Sequence, residues 1–245
     1  MTTPERTETG GPTRTPRSEI TAAVSGNRKK EPVLLLDLST SMDWDAAQGG
    51  PEWNGQGGGR RGIVIEALHG LVSALEAEDS EAAAEQSGGS DDLGGLLTHG
   101  FASGHVEIGD LNSSNLERKL NAIQWGGATH IMPAWKAALA DYDEEFGDKD
   151  PDEQPTLLTL VLTDGEADDW AEFVPVLEKA SPKRVFAVAV VGHGTAHDAT
   201  VRAYQQAAER NRSQDKYGKD HVKVVSFDSV TEPKEIAADL ITLLS

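Results

Sequence analysis

Asp37, Ser39 and Ser41 stand two residues apart where the apolar run Val33-Leu34-Leu35-Leu36 ends. In extended chain that spacing turns side chains to the same side. As the strand opens into a loop, three oxygen donors can converge on one point. A carboxylate and two hydroxyls are hard ligands, suited to Mg²⁺, with Mn²⁺ as the alternative. The same residues also suit a capped turn, because Asp and Ser are common after strands and at helix N-caps. Asp164 closes a second apolar run, Leu157 to Thr163, and a further hydroxyl, Thr129, follows Gly126-Gly127-Ala128.

These groups matter only if the fold brings them together. Six runs have strand character: Val33–Leu36, Leu96–Ala102, Val106–Ile108, Leu157–Thr163, Arg184–Val191 and Val222–Phe227. The continuous runs predict strands covered on both faces, as in a parallel sheet. The short turn Ser103-Gly104-His105 predicts a hairpin, which makes Val106–Ile108 an antiparallel edge strand. Helical spacing is read over Ile63–Ala77, Leu116–Ile123, Pro133–Phe146, Trp170–Lys179, Thr200–Ala208 and Pro233–Leu244. The alternation predicts an α/β fold: a doubly wound, mostly parallel six-stranded sheet with helices on both faces. With strand order 3-2-1-4-5-6, the first and fourth strands are neighbours at the switch point, where ligands bind beyond the carboxyl ends. Asp37 and Asp164 would then share one crevice.

Residues 43–60, rich in Gly, and 78–94, acidic and small, read as loops. Residues 1–30 are rich in Thr, Pro, Gly and Arg, bury little apolar surface, and read as a disordered, weakly basic tail ahead of a domain spanning 31–245.

Asp37-Leu38-Ser39-Thr40-Ser41 resembles the DxSxS motif of von Willebrand factor A (VWA) domains. Gly126-Gly127-Ala128-Thr129 resembles that family's threonine loop, with Ala128 intervening where many relatives place the threonine directly. Thr163-Asp164-Gly165 resembles its third metal loop, and the three occur in the expected order over residues 32–245. The resemblance implies a metal-ion-dependent adhesion site holding Mg²⁺. Ser39, Ser41 and Thr129 would bind the ion directly, and Asp37 and Asp164 largely through water. Neutral hydroxyls would leave the ion electrophilic, ready for an Asp or Glu carboxylate from a protein partner. Bacterial members occur beside AAA+ ATPases and in tellurium-resistance stress systems, which suggests partners of that kind.

Other signals are weaker. Asp43 and Asp45 could serve a second cation or simply form a solvated acidic loop, and Trp44, Trp53, Trp125 and Trp170 flank the motif loops as interface anchors or as core. The stretch Gly55–Gly62 lacks the GK[ST] ending of a phosphate loop. His193 and His197 lack the glutamate of a zinc-protease helix, and His99 and His105 read as structural.

The chain has 245 residues, enough for one large α/β domain or two small ones. Lys and Arg number 22 against 41 Asp and Glu, a formal net charge of −19 that repels nucleic acid and anionic membranes. It contains no cysteine, which excludes disulfides and thiolate sites and suits the cytoplasm. No secretory leader is read over residues 1–30 and no run reaches membrane-spanning length. The expected function is a non-enzymatic, metal-dependent protein-interaction module. One alternative is a phosphatase-like hydrolase using Asp37, although Ser39 cannot replace the carboxylic acid such enzymes place two residues on. The other is a structural subunit stabilised by its metal.

Overall fold

The computed structural model describes residues 30–42, 59–85, 95–165, 167–192, 194–227 and 231–244. The predicted tail up to residue 29 and Asp43, Trp44, Asp45, Trp53 and His193 lie outside the described residues. The elements follow the predicted order: β1 (Lys30–Asp37), α1 (Gly59–Glu85), β2 (Leu96–Phe101), β3 (His105–Leu111), α2 (Leu116–Ala122), α3 (Met132–Phe146), β4 (Thr156–Thr163), α4 (Trp170–Glu178), β5 (Arg184–Val191), α5 (Gly194–Gln214), β6 (Val222–Phe227) and α6 (Pro233–Leu244).

The six strands form one sheet in the order β3-β2-β1-β4-β5-β6. All neighbours are parallel except β3, which runs antiparallel beside β2 with a register shift between Thr98 and His99. From β1 the chain moves outward to β2, and from β4 outward to β5, so the switch point lies between β1 and β4. Their register pairs Leu36 with Leu162, which puts Asp37 beside Thr163 at the same end of the sheet.

Alternation along the strands divides the core in two. Leu34, Leu36, Leu160 and Leu162 pack with α1, α2 and α6 on one face. Val33, Leu35, Val161 and Val188 pack with α3, α4 and α5 on the other. Both faces are covered, which is why these strands read as continuous apolar runs.

Several boundaries differ from the sequence reading. β1 starts at Lys30, so Pro32 lies inside it; the ladder to β2 begins only at Val33, where Pro32 and its missing N–H are already passed. α1 continues through residues 78–85, predicted as loop, because the Glu81 to Glu85 stretch is alanine and glutamate, strong helix formers. α5 runs from Gly194 to Gln214, well beyond Thr200–Ala208; toward its C-terminal end the apolar spacing is interrupted by Asn211, which is buried and donates to the carbonyls of Glu178 and Ala180 at 3.1 and 2.9 Å.

One glycine sets the exit of β1. Gly100 of β2 lies under Leu38, and a Cβ there would collide with the Leu38 side chain. Leu38 is itself fully buried, its N–H donates to the Phe101 carbonyl at 2.8 Å, and its carbonyl accepts from Gly126 at 2.7 Å. Leu38 thereby pins the stretch between Asp37 and Ser39. Gly100→Val should therefore overpack this point and lower stability by about 1–3 kcal/mol, measured by denaturant unfolding.

Candidate metal centre

Asp37 is the last residue of β1, fully buried, and both its carboxylate oxygens are engaged. Oδ1 accepts the Ser39 N–H at 2.8 Å, and Oδ2 accepts the Thr163 hydroxyl from the neighbouring strand at 2.6 Å. The Ser39 and Ser41 hydroxyls are 3.2 Å apart, and Ser41 donates to Asp164 Oδ1 at 2.9 Å. A continuous polar chain thus joins Asp37, Ser39, Ser41 and Asp164 across the switch point.

Thr129 sits in the adjacent loop, half-buried, and its hydroxyl makes no hydrogen bond to these four. Its loop is nevertheless tied to theirs. The Thr40 hydroxyl donates to the Gly127 carbonyl at 3.2 Å and accepts the Gly127 N–H at 2.9 Å. Gly127 has φ +101°, and a Cβ there would strike Ser103, so glycine is required. The neighbouring Ala128 N–H donates to the Ser103 hydroxyl at 3.1 Å.

The structure adds residues that the sequence reading did not place here. The Thr129 N–H donates to Asp168 Oδ2 at 2.8 Å, and the Asp168 N–H returns to the Thr129 carbonyl at 2.7 Å. Asp169 caps α3 from a distant loop, accepting from Ile131 and Met132 at 3.0 and 2.8 Å. Arg60, in the first turn of α1, pairs with Asp164 Oδ2 and donates to the Ser41 carbonyl at 3.2 Å. The sequence signal for Arg60 was the Arg60-Arg61 pair after a glycine run, weighed only as a phosphate loop.

The tryptophans among the described residues are partly core. Trp125 is buried, with its indole N–H on the Leu120 carbonyl, and half-buried Trp170 meets Tyr204 edge-on at 4.7 Å. His197 is buried in α5 with Nε2 3.3 Å from the Ser226 hydroxyl, and His99 is buried 3.0 Å from His105, as structural histidines.

No family profile and no curated protein matches this sequence. Solved structures do match. A von Willebrand factor type A protein from Catenulispora acidiphila superposes with TM-score 0.53 at 12% identity, over 86% of this chain and 41% of that one. PilB minor pilin from Streptococcus sanguinis gives 0.56 at 13%, over 91% and 63%. The SpRpn10 VWA domain gives 0.54 at 8%, over 86% and 95%. The fold is that of a VWA domain. The chain spans less than two thirds of the first two structures, and at these identities the fold is what is shared.

The donors in this VWA fold fit a hard divalent cation. They are all oxygens, two of them carboxylates, and the site already draws in the positive charge of Arg60. Among the described residues no cluster of three His, Cys, Asp or Glu side chains could hold an ion, so an ion bound here would depend on the hydroxyls as well. Burial pushes the Asp37 carboxyl up to about 6, the nearby Asp164 charge adds to this, and hydrogen bonds from Ser39 and Thr163 oppose it. Burial also raises Asp164, against the pull of Arg60.

Native Asp37 therefore holds its proton to about pH 6, whereas an unfolded Asp has released it by about pH 4. Across that window the folded state binds more protons, so stability falls as pH rises, by on the order of 3 kcal/mol. In EDTA, the melting temperature should rise as pH is lowered from about 7 to about 4.5. Asp37→Asn should lose most of that slope; an unchanged slope would place the titration elsewhere.

Proposed function

We propose that this VWA domain is a metal-dependent protein-recognition module. Asp37, Ser39, Ser41, Thr129 and Asp164 would hold Mg²⁺ or Mn²⁺, and the partner would be a protein offering an Asp or Glu carboxylate. The observation that carries this reading is the hydrogen-bonded set Asp37–Ser39–Ser41–Asp164, gathered at the carboxyl ends of β1 and β4. When bound, the ion would supply an electrophilic point for an anionic ligand. The residues around it do the rest. Thr163 and the Ser39 amide fix the Asp37 carboxylate, Leu38 anchors the strand exit, and the Thr40–Gly127 bonds hold the threonine loop alongside.

Burial supports recognition over hydrolysis. A nucleophilic carboxylate must reach its substrate, whereas Asp37 is fully buried with both oxygens occupied. Neutral Ser39 also leaves no proton donor two residues on. The charge of −19 favours basic surfaces and argues against nucleic acid and anionic membranes as partners. No helix among the described residues is long and apolar enough to cross a membrane. We place the domain in the cytoplasm, where its partner would be an AAA+ ATPase or a stress-system protein, tellurium resistance being the example the sequence resemblance suggests.

Calorimetric titration with Mg²⁺ and Mn²⁺ tests the reading. Wild type should bind a single ion saturably, and Asp37→Ala should bind none. Mn²⁺ spin resonance covers a thermally silent association. Absence of Mn²⁺ binding in both measurements, by wild type and by Arg60→Gln alike, refutes the metal-centred function while leaving the fold intact.

A further inference from the structure

We infer that Arg60 is a cation built into the chain that competes with the divalent ion for the candidate centre, so that loading the centre requires the Arg60 side chain to leave it. The inference rests on the metal-binding reading above.

Geometry places Arg60 against the donors themselves. Its Nη1 pairs with Asp164 Oδ2, while Ser41 donates to the other oxygen of the same carboxylate. The same Nη1 donates to the Ser41 carbonyl at 3.2 Å. The Arg60 side chain is 14% exposed and that of Asp164 3%, so the contact lies inside the crevice. A guanidinium there occupies a carboxylate oxygen that the ion or its water would need, and holds the Ser41 backbone beside it.

Charge gives the second argument. Asp37 and Asp164 together bring two negative charges when ionised, and Arg60 returns one. A divalent ion balances both carboxylates alone; with Arg60 still present, the crevice would carry excess positive charge at low dielectric. The two cations therefore exclude one another.

Arg60 is also poorly satisfied where it sits. Its Nε is buried without a hydrogen-bond partner among the described residues. It lies in the first turn of α1, where the helix dipole favours negative charge and where no acidic residue is present. Its long stem lets the head swing to solvent without moving the sheet. The adjacent Arg61 turns elsewhere, its guanidinium 5.0 Å from the Trp125 ring centroid and 3.3 Å from Asn121 Oδ1. Arg61 is thus the control, with the same charge at the adjacent helix position and its guanidinium directed at Trp125 and Asn121.

The test compares Mn²⁺ affinity, by calorimetry and spin resonance, in wild type, Arg60→Gln, Arg60→Met and Arg61→Gln, each checked for native circular dichroism. Removing the Arg60 charge should tighten Mn²⁺ binding at least about tenfold, and Arg61→Gln should leave it within about twofold of wild type. In EDTA both Arg60 variants should melt below wild type, and saturating Mn²⁺ should erase that difference. Equal affinity in wild type and the Arg60 variants, or weaker binding in the variants, overturns the inference while the metal-binding reading stands. Mn²⁺ binding by the Arg60 variants alone supports it as a complete block. Failure of every protein to bind overturns both.

Discussion

Two carboxylates buried side by side at the ends of adjacent strands cannot both remain ionised without help, and the rest of this structure is arranged around that constraint. Water is excluded from Asp37, so its charge is opposed by desolvation and by the charge of Asp164. The fold answers with short-range dipoles: an amide from Ser39, hydroxyls from Thr163 and Ser41, and a guanidinium from Arg60. None of these groups neutralises both acids. The residual negative charge is a standing demand for a cation, created by the same packing that stabilises the sheet.

That demand is localised because the backbone leaves little freedom at the strand exits. The β1–β4 register sets Asp37 against Thr163, and Leu38 is bound from two sides, by Phe101 and by Gly126. Leu38 is thus part of the core while the residues on either side of it belong to the polar centre. The alternation that covers both faces of β1 with helices continues one step past the end of the strand, where it separates leucine from serine. Packing and chemistry share one short segment, and a substitution chosen for either affects both.

The strands, their order and the convergence of Asp37 with Asp164 were legible because each rests on a local pattern. Unbroken apolar runs report two covered faces, and alternation of strand with helix limits the ways they can join. Arg60, Asp168 and Asp169 were not legible in the same way. Their partners lie 104, 39 and 38 residues away in sequence, and no periodicity marks an arginine that folds inward or an aspartate that caps another segment's helix. The length of α5 was hidden for a related reason: Asn211 sits where an apolar side chain was the expected sign of an inner face. Thr129, read in the sequence as a direct ligand, lies in a loop tied to the centre through Thr40 and Gly127, and its hydroxyl does not join the hydrogen-bonded set.

The capping of α3 by Asp169 has a consequence for how this domain opens. The amides of Ile131 and Met132 end on a carboxylate from the segment between β4 and α4, and the Thr129–Asp168 exchange lies beside them. Neither loop can lift away alone, because each supplies acceptors for the other's backbone. They form one cooperative unit in the sense of local unfolding. Solvent exchange at the first turn of α3 is therefore clocked by departure of the loop that follows Asp164.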